Sequence, residues 1–273
     1  MEIVWLGKDK FLTGLDIWGD MVSSDKTITA VETSFDILDV LGSLEPAGVS
    51  EIATHLEIPT STAYVHLNTL VERGFVIKQE GQYKRSFQFL KIGGSMRQRL
   101  DITRILRNKI EELSRRTGEI AGCGIEENGQ RVILFRSTGE KAAGDEIPIG
   151  SHTEMHWTAL GKSILANLPS KRRDEIIEQH GLPQGTSKTF TSEEALEAEL
   201  KSIRERGYAI DDEEHLQGMR GIAVPILNED QEVMVSIGVT GPRDRFTSPY
   251  MSNLLTLLEY LRNEIEVRSQ YYQ

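Results

Sequence analysis

The chain has 273 residues and a formal net charge of -11, because 42 acidic residues outnumber 31 lysines and arginines. This length favours two domains, each long enough to bury a core of its own. No run of about 18 apolar residues predicts a membrane span, and the N-terminus lacks the sections of a signal peptide. The single cysteine, Cys123, excludes an intrachain disulfide, so we expect a cytoplasmic protein without a membrane partner.

The first 26 residues contain two of the three tryptophans but follow no clear hydrophobic period. We therefore expect residues 1–26 to be a tail or a start-site extension, since a regular pattern begins only after them. Apolar residues between Phe35 and Leu44 predict the first helix, with Thr33 or Ser34 as its cap.

Two short helical patterns separated by a turn occupy Ile52 to Phe75. In the second pattern apolar residues recur at intervals of three and four, which predicts one buried helix face. Pro59 disfavours a helix at the residue before it, Thr60 or Ser61 can cap the second helix, and Gly74 supplies the position after its end. The pattern predicts a helix-turn-helix whose second helix can enter the DNA major groove, although an ordinary helical hairpin would share it.

A β-hairpin is predicted directly after these helices. Phe75-Val76-Ile77 is a short β-type run, and residues 82–87 can return as its partner across a turn at 78–81. Three helices followed by a hairpin form a winged helix-turn-helix, and a helical hairpin that served packing alone would not need the wing. We therefore assign residues 27–92 to a DNA-binding domain.

A basic segment adjoins the predicted wing. Between residues 84 and 109 a single acidic residue, Asp101, stands against eight basic ones: Lys84, Arg85, Lys91, Arg97, Arg99, Arg104, Arg107 and Lys109. A solvated helix face is the usual explanation of such a run, but its place beside the wing favours contact with DNA phosphates, above all by Lys84, Arg85 and Arg97. The acidity of the whole chain opposes DNA binding and is typical of a salt-adapted organism such as a halophilic archaeon.

The pattern changes after this basic segment. We expect a boundary at Gly93-Gly94, a helix from Met96 to Leu113, a linker helix over residues 93–110 and a second domain over 111–273. In the second domain one β-hairpin is predicted around Asn128-Gly129, and another between strands at 222–227 and 233–240. Helices are predicted at 157–168, 170–180, 192–206 and 251–267. Helices combined with an antiparallel sheet indicate an α+β fold.

No catalytic or metal site emerges from the sequence. Gly161-Lys162-Ser163 resembles the end of a phosphate-binding loop, but His156 stands where that motif requires glycine. His152, His156 and His215 could bind a metal, although surface histidines and a solvated acidic loop explain them better. Cys123 has no obvious activating partner, which favours a packed thiol. We expect no cofactor, no metal and no enzymatic activity; the alternative is a protein that acts on small carboxylates without specific DNA binding.

Nine short motifs stand in a characteristic order between about residue 30 and residue 265. They are Ser61-Thr62-Ala63-Tyr64, Asn68-Thr69-Leu70, Arg73-Gly74-Phe75, Glu112-Leu113, Arg116-Thr117-Gly118, Thr158-Ala159-Leu160-Gly161-Lys162, Arg206-Gly207-Tyr208, Asp211-Asp212-Glu213-Glu214-His215 and Ser236-Ile237-Gly238-Val239-Thr240-Gly241-Pro242. In this order they resemble the IclR family of bacterial and archaeal transcription regulators. The resemblance implies an N-terminal winged helix-turn-helix, a linker helix, a C-terminal GAF-like effector-binding domain, and dimers that often pair into tetramers.

The recognition helix departs from the family pattern in two places. Thr60 stands where the family usually has a basic residue, and Val65 where it usually has arginine. Because these two cations are missing, uncharged side chains must read the bases, and affinity must come from the wing and linker. The base-reading candidates are Ser61, Thr62, Tyr64 and Asn68.

An effector site is expected in the C-terminal domain. Val233, Val235, Ile237 and Val239 alternate with residues that form a second face, which suits either a ligand or solvent. The family's effector contacts fall on positions that match Ala159, Leu160, Asp211, Gly221, Gly238 and Thr240.

Each of these positions suggests a role. The N-terminus of the helix with Ala159 and Leu160 can hold a carboxylate, Thr240 can donate a hydrogen bond and Asp211 can accept one. Gly221 and Gly238 stand where relatives carry larger or hydroxyl-bearing residues, which suggests a roomier site. Taken together, the sequence predicts a regulator controlled by a small, carboxylate-bearing effector that binds pseudo-palindromic double-stranded DNA as a homodimer or dimer of dimers.

Overall fold

The computed structural model describes residues 26–143 and 147–270. The chain divides into two compact units, the first ending at Arg99 and the second beginning at Leu100. The expected N-terminal tail, residues 1–26, lies outside the described residues except for Lys26. Within the described ranges, none of the helices combines the length and apolar character that a membrane crossing requires.

Three helices and a small sheet form most of the first unit. They are α1 (Thr29–Leu44), β1 (Ala47–Gly48), α2 (Val49–His55), α3 (Thr60–Glu72), β2 (Val76–Gln79) and β3 (Gln82–Arg85). The strands are antiparallel in the order β1-β3-β2, and β2 and β3 turn at Glu80 and Gly81, both with positive φ. Ile37, Ile52 and Leu67 are fully buried between the helices. The predicted winged helix-turn-helix is confirmed.

The first helix is longer than predicted and is capped differently. It begins at Thr29, after Ile28, and neither Thr33 nor Ser34 caps it. The Thr33 and Ser34 hydroxyls instead donate to the carbonyls of Thr29 and Ala30, one turn earlier. Because a serine or threonine inside a helix can donate its hydroxyl to a carbonyl of the preceding turn, these two residues did not mark the start of the helix.

The helix predicted from Met96 to Leu113 is in fact two helices, α4 (Gln88–Gln98) and α5 (Thr103–Thr117). Gly93-Gly94 lies inside α4 and does not interrupt the chain. The break between the two helices follows Arg99. There the carbonyl of Leu100 accepts two hydrogen bonds from Thr103, one from its backbone N–H at 2.9 Å and one from its side-chain hydroxyl at 2.7 Å. Apolar spacing alone did not reveal this local capping turn.

Over its described residues, the second unit contains a six-stranded antiparallel sheet and five α-helices. Its elements after α5 are β4 (Ile120–Glu127), β5 (Gln130–Thr138), β6 (His152–Glu154), α6 (Ala159–Asn167), α7 (Ser170–His180), α8 (Glu193–Arg206), β7 (Ala209–Asp212), β8 (Met219–Leu227), β9 (Val233–Pro242) and α9 (Ser248–Ser269). The strand order is β6-β5-β4-β9-β8-β7. The edge strands β6 and β7 were not predicted from the sequence, since they are too short to show a clear alternation.

Helices cover both faces of this sheet. Val235, Ile237 and Val239 are buried against α5 and α9, as the alternation in β9 predicted, whereas Val233 is only partly buried and packs with the residues of α6 and α8. On the other face α6 packs across β8, β9 and β4, and α8 packs behind it. Asn128 and Gly129 both have positive φ, which fits the predicted hairpin turn between β4 and β5.

Candidate functional site

The base-reading candidates share the outer side of α3. Ser61 and Tyr64 are exposed, and Thr62 and Asn68 are half-buried. The opposite side of the helix is buried in the core of the first unit. The structure therefore presents these four uncharged side chains on one surface, where hydrogen bonding and stacking are their available chemistry.

The start of α3 differs from the predicted capping. Neither Thr60 nor Ser61 forms a side-chain cap. The carbonyl of Pro59 instead accepts the backbone N–H groups of Thr62 and Ala63, at 2.9 and 3.1 Å. Pro59 alone places the helix start, because its ring fixes a φ of -59°. Gly74, with φ +78°, ends the helix as predicted.

A wing cation that the sequence analysis missed lies beside the recognition helix. Lys78 Nζ lies 5.6 Å from the centroid of the Tyr64 ring and 5.3 Å from that of Tyr83. The sequence pattern predicted a turn at Lys78, whereas β2 extends to Gln79. The strand gives no clear alternation that could have identified Lys78, since only Val76 is buried and the apolar Ile77 is exposed.

The predicted phosphate-contacting residues have different surroundings. Lys84 is exposed and Arg97 is half-buried. Arg85 binds Glu45: its backbone N–H donates to the carboxylate at 2.8 Å, and its guanidinium forms an ion pair at 3.3 Å. The Arg85 side chain remains 41% exposed, so part of the guanidinium is accessible to solvent. Its ion pair with Glu45 connects the wing to the end of α1.

Lys109 does not belong to a phosphate-facing surface. It is 8% exposed, and its ammonium lies 3.0 Å from Glu112 and 2.6 Å from Glu264. Arg104 and Arg107, from the same basic run, are exposed on α5 in the second unit. The charge pattern was misleading here because the partner carboxylate of Glu264 comes from α9, distant in sequence.

The structure brings the six predicted effector residues together on the α6 side of the sheet. Asp211, Gly221 and Thr240 lie side by side on β7, β8 and β9. A Cβ atom on Gly221 would lie 3.0 Å from Thr240 Oγ1 and 3.6 Å from the Ala159 Cβ. Elsewhere on the same face, Leu160 of α6 lies over Gly238 of β9.

The space at Gly238 is filled, and the expectation of a roomier site there is wrong. A Cβ atom on Gly238 would lie 2.6 Å from the carbonyl oxygen of Ile222, 2.9 Å from Ala223 and 3.2 Å from Leu160. Glycine at this position lets α6 approach the sheet, because no side chain separates them. Close packing therefore explains why position 238 is a glycine.

Asp211 organises the loop that follows β7. Its Oδ1 accepts the backbone N–H of Glu214 at 2.8 Å and that of His215 at 3.4 Å. Burial, together with the nearby Glu214 charge, raises the pKa of Asp211 to about 7. Near neutral pH the carboxyl group is partly protonated, so it can donate a hydrogen bond as well as accept one.

The acidic loop is less solvated than the sequence suggested. Glu214 is buried and pairs with Lys162 of α6, which is itself fully buried. The second carboxylate near Lys162, that of Glu199, lies 4.0 Å away. Pairing with this lysine, which comes from a distant part of the sequence, makes the burial of Glu214 possible.

The N-terminus of α6 points its first backbone N–H groups toward this region. Thr158 caps the helix, since its hydroxyl accepts the N–H of Gly161 at 3.0 Å. The helix begins at Ala159, whereas residues 155–157 form a separate 3₁₀ turn. The N–H groups of Ala159 and Leu160 have no intrahelical acceptor and can hold an anionic or polar group.

The histidines do not form a metal site. Among the described residues no three histidine, cysteine, aspartate or glutamate side chains are grouped to hold a metal ion. His156 is buried and lies 3.0 Å from the carbonyl of Pro183, so the expectation of a surface histidine is wrong for it. His215 stacks on Trp157 with centroids 5.9 Å apart. Cys123 is fully buried, and the prediction of a packed thiol is confirmed.

Comparisons with known proteins match both units. The family model described as "IclR helix-turn-helix domain" matches residues 30–80, and "Bacterial transcriptional regulator IclR C-terminal" matches residues 94–266. Among curated proteins, the probable HTH-type transcriptional regulator ArcR of Halobacterium salinarum is 29% identical over 89% of this chain and 94% of its own length.

Solved structures share the fold. The Thermotoga maritima IclR structure is 27% identical, has a TM-score of 0.79, and the match covers 89% of this chain and 99% of that one. An IclR homolog of Microbacterium hydrocarbonoxydans, solved in complex with 4-hydroxybenzoate, is 21% identical with a TM-score of 0.73, covering 87% and 98% of the two chains. Since the C-terminal family model alone matches more than half of the sequence, the chain belongs to the IclR family of DNA-binding transcriptional regulators, and not to a family of enzymes.

Proposed function

We propose that this protein is a cytoplasmic transcription regulator whose binding to pseudo-palindromic DNA is controlled by a small carboxylate metabolite. Residues 27–92 form the DNA-binding domain, residues 93–110 the linker, and residues 111–273 the effector-binding domain. The observation that carries the ligand part is the meeting of Asp211, Gly221 and Thr240 with the N-terminus of α6.

The DNA-binding proposal assigns two kinds of contact. Ser61, Thr62, Tyr64 and Asn68 read bases from α3, and Lys84, Arg85 and Arg97 bind phosphates. Tyr64 and Asn68 are the most direct test of base reading, since neither is buried and neither carries charge. Changing either to alanine is expected to reduce the preference for the operator over unrelated DNA, with little change in the salt dependence of binding.

Assembly as a homodimer, or a dimer of dimers, is supported by apolar surfaces in the first unit. On α1, Val31 is 49% exposed and Phe35 is 62% exposed, one helical turn apart. At the start of α4, Phe87, the residue before the helix, and Leu90 are 84% and 69% exposed. Large apolar side chains clustered on a surface favour burial against another chain, and a two-fold dimer would match a two-fold DNA site. Light scattering tests this assembly, and a stable monomer at micromolar concentration would contradict it.

The effector proposal rests on hydrogen-bonding groups that converge on one region. Thr240 provides a hydroxyl, Asp211 a carboxyl group, and α6 the free N–H groups of Ala159 and Leu160. A hydroxylated or keto acid matches this combination. The 4-hydroxybenzoate bound by the Microbacterium hydrocarbonoxydans homolog is an acid of this kind, although the two chains are only 21% identical.

A thermal-shift screen of metabolite acids tests the effector proposal. A ligand that stabilises the protein should lose most of its effect in Thr240→Val and in Asp211→Ala. Thr256→Val is a matched control, because Thr256 is exposed on α9 and its hydroxyl bonds only within that helix. Full stabilisation in both site variants would place the ligand elsewhere. Genome-wide mapping of bound DNA with and without the hit would then connect the ligand to regulation.

A further inference from the structure

Among the described residues, a buried arginine in the second unit lacks hydrogen-bond partners for part of its guanidinium group. Arg131 of β5 is 2% exposed, and its Nε and Nη1 atoms have no hydrogen-bond partner among the described residues. Burial lowers the pKa of Arg131 to about 10, so the side chain still carries its charge at neutral pH. A charge removed from water without a partner is strongly destabilising, and buried guanidinium groups are normally paired.

The arginine is held in a defined position. A Cβ atom on Gly124 would lie 2.9 Å from Arg131 Cδ and 3.1 Å from its Cγ, so the stem of the side chain lies directly over this glycine of β4. Ile133, two residues further along β5, lies on the same face and approaches Gly122. Leu160 of α6 approaches Gly122 as well, so Arg131 lies on the face of the sheet that carries the proposed effector residues.

A second unpartnered group lies beside the arginine. Thr153 of β6 is the direct partner of Arg131 across the antiparallel pair β5–β6. Directly opposed residues place their side chains on the same face, with Cβ atoms about 5 Å apart. The Thr153 hydroxyl is buried and also lacks a hydrogen-bond partner among the described residues. A cation and a hydroxyl donor therefore lie side by side, and both need an acceptor.

The neighbouring carboxylates are engaged elsewhere. Glu126, opposite Arg131 on β4, accepts from Arg172 at 2.7 Å and from the N–H of Gly129 at 2.7 Å. Glu154, next to Thr153, accepts from Gln130 at 3.1 Å. Within the described part of the chain, no side chain therefore supplies an acceptor to Arg131 Nε or Nη1.

Arg131 lies near His215, in the loop after β7 that Asp211 organises. Burial, and then the charge of Arg131, lower the pKa of His215 to about 4, so this histidine is neutral and adds no second positive charge. The backbone N–H of His215 in turn donates to Asp211 at 3.4 Å. A ligand bound at Arg131 thus lies near the loop that Asp211 holds.

We propose that Arg131 and Thr153 form the anion-binding end of the effector site and bind the carboxylate of the ligand. The guanidinium can donate two parallel hydrogen bonds to a carboxylate, and the Thr153 hydroxyl can donate another. The N-terminus of α6, Thr240 and Asp211 then hold the remaining polar groups of the ligand. This inference rests on the proposed function, since it assigns a ligand contact within the same domain.

The test uses sodium acetate as the simplest carboxylate and measures the Tm of the full chain. At equal ionic strength, acetate should raise the Tm of the wild-type protein more than sodium chloride does, and acetamide should have no effect. In Arg131→Met the acetate effect should disappear, while the Tm without acetate should rise, because an unpaired buried charge has been removed. Arg131→Lys should retain part of the effect. Arg107→Met is the control, since Arg107 is exposed on α5.

The outcomes separate this inference from the proposed function. An acetate effect that survives in Arg131→Met would overturn the inference. If Arg131→Met fails to fold, loss of the acetate effect in Thr153→Val decides the question. If stabilisation by a metabolite from the screen requires Thr240 and Asp211 but not Arg131, the proposed effector site is supported and the anion-binding role of Arg131 is wrong.

Discussion

The ammonium group of Lys78 lies 5.6 Å from the centre of the Tyr64 ring, so the wing and the recognition helix present a cation and an aromatic ring side by side. This contact places a positive charge next to α3, which contains no lysine or arginine. The contact also orients Tyr64, because a cation over a ring face favours one arrangement of both side chains.

Lys78→Ala is expected to weaken binding to all DNA sequences alike. Loss of one phosphate contact should reduce the slope of log K against log salt concentration by about 1, measured by fluorescence anisotropy across a salt series. Lys171→Ala is the control, because the Lys171 side chain is 90% exposed on α7 in the second unit. A change in sequence preference with an unaltered salt slope would assign Lys78 to base reading.

Arg85→Ala should weaken DNA binding, whereas Glu45→Gln should not. Arg85→Ala should lower affinity for all sequences and flatten the salt dependence, since it removes a cation. Glu45→Gln releases the guanidinium from its ion pair at 3.3 Å and removes an acidic group, so it should leave affinity unchanged or increase it. Equal losses of affinity in both variants would instead show that the pair serves only to hold the wing in place.

Gly238→Ala is expected to destabilise the second unit by about 1–3 kcal/mol, because the added methyl group would overlap the carbonyl of Ile222 and the side chain of Ala223. Gly94→Ala is the opposite case. Gly94 lies inside α4 with nothing within 4 Å of an added Cβ, so alanine should stabilise the helix by roughly 0.5–1 kcal/mol. Urea denaturation of the two variants checks both signs.

Asp211 should make stability depend on pH. Its pKa in the folded state, about 7, lies above the ordinary value of 3.8, so the folded protein binds the proton more tightly than the unfolded chain. Stability from this group is therefore largest at low pH and is lost as pH rises from about 4 to about 7.

The variant Asp211→Asn isolates this effect, since asparagine can still accept the N–H groups of Glu214 and His215. Its Tm should exceed that of the wild type at pH 8, and the difference should shrink toward pH 5. The variant must be compared with the wild type at each pH, because His215 also makes stability depend on pH. Its pKa is lowered to about 4, so its contribution to stability falls as pH drops below about 6.5, which is opposite in sign to the contribution of Asp211. Asp244→Asn, at an exposed position, is the control, and a difference that does not vary with pH would contradict the prediction.

Local signals in the sequence were sufficient for much of the fold. The helix predicted over residues 192–206 is α8: the Ser192 hydroxyl accepts the N–H of Ala195 at its start, and Gly207, with φ +80°, follows its end. The Asn128-Gly129 turn and the wing hairpin also follow from residues next to one another in the chain. Caps and turns depend on backbone conformations that few residue types adopt, so nearby residues are enough to identify them.

Burial and pairing required the tertiary structure. The sequence places Lys109 in a basic run, but only the fold brings Glu264 to it and removes it from the surface. The closeness of α6 to Gly238 likewise depends on elements distant in sequence, as does the lack of hydrogen-bond partners for Arg131 Nε and Nη1 among the described residues. The order of motifs along the chain determined the family and the two kinds of domain. Whether a charged side chain is solvated, paired or left buried is decided by the dielectric surroundings and the partners that the folded chain assembles around it.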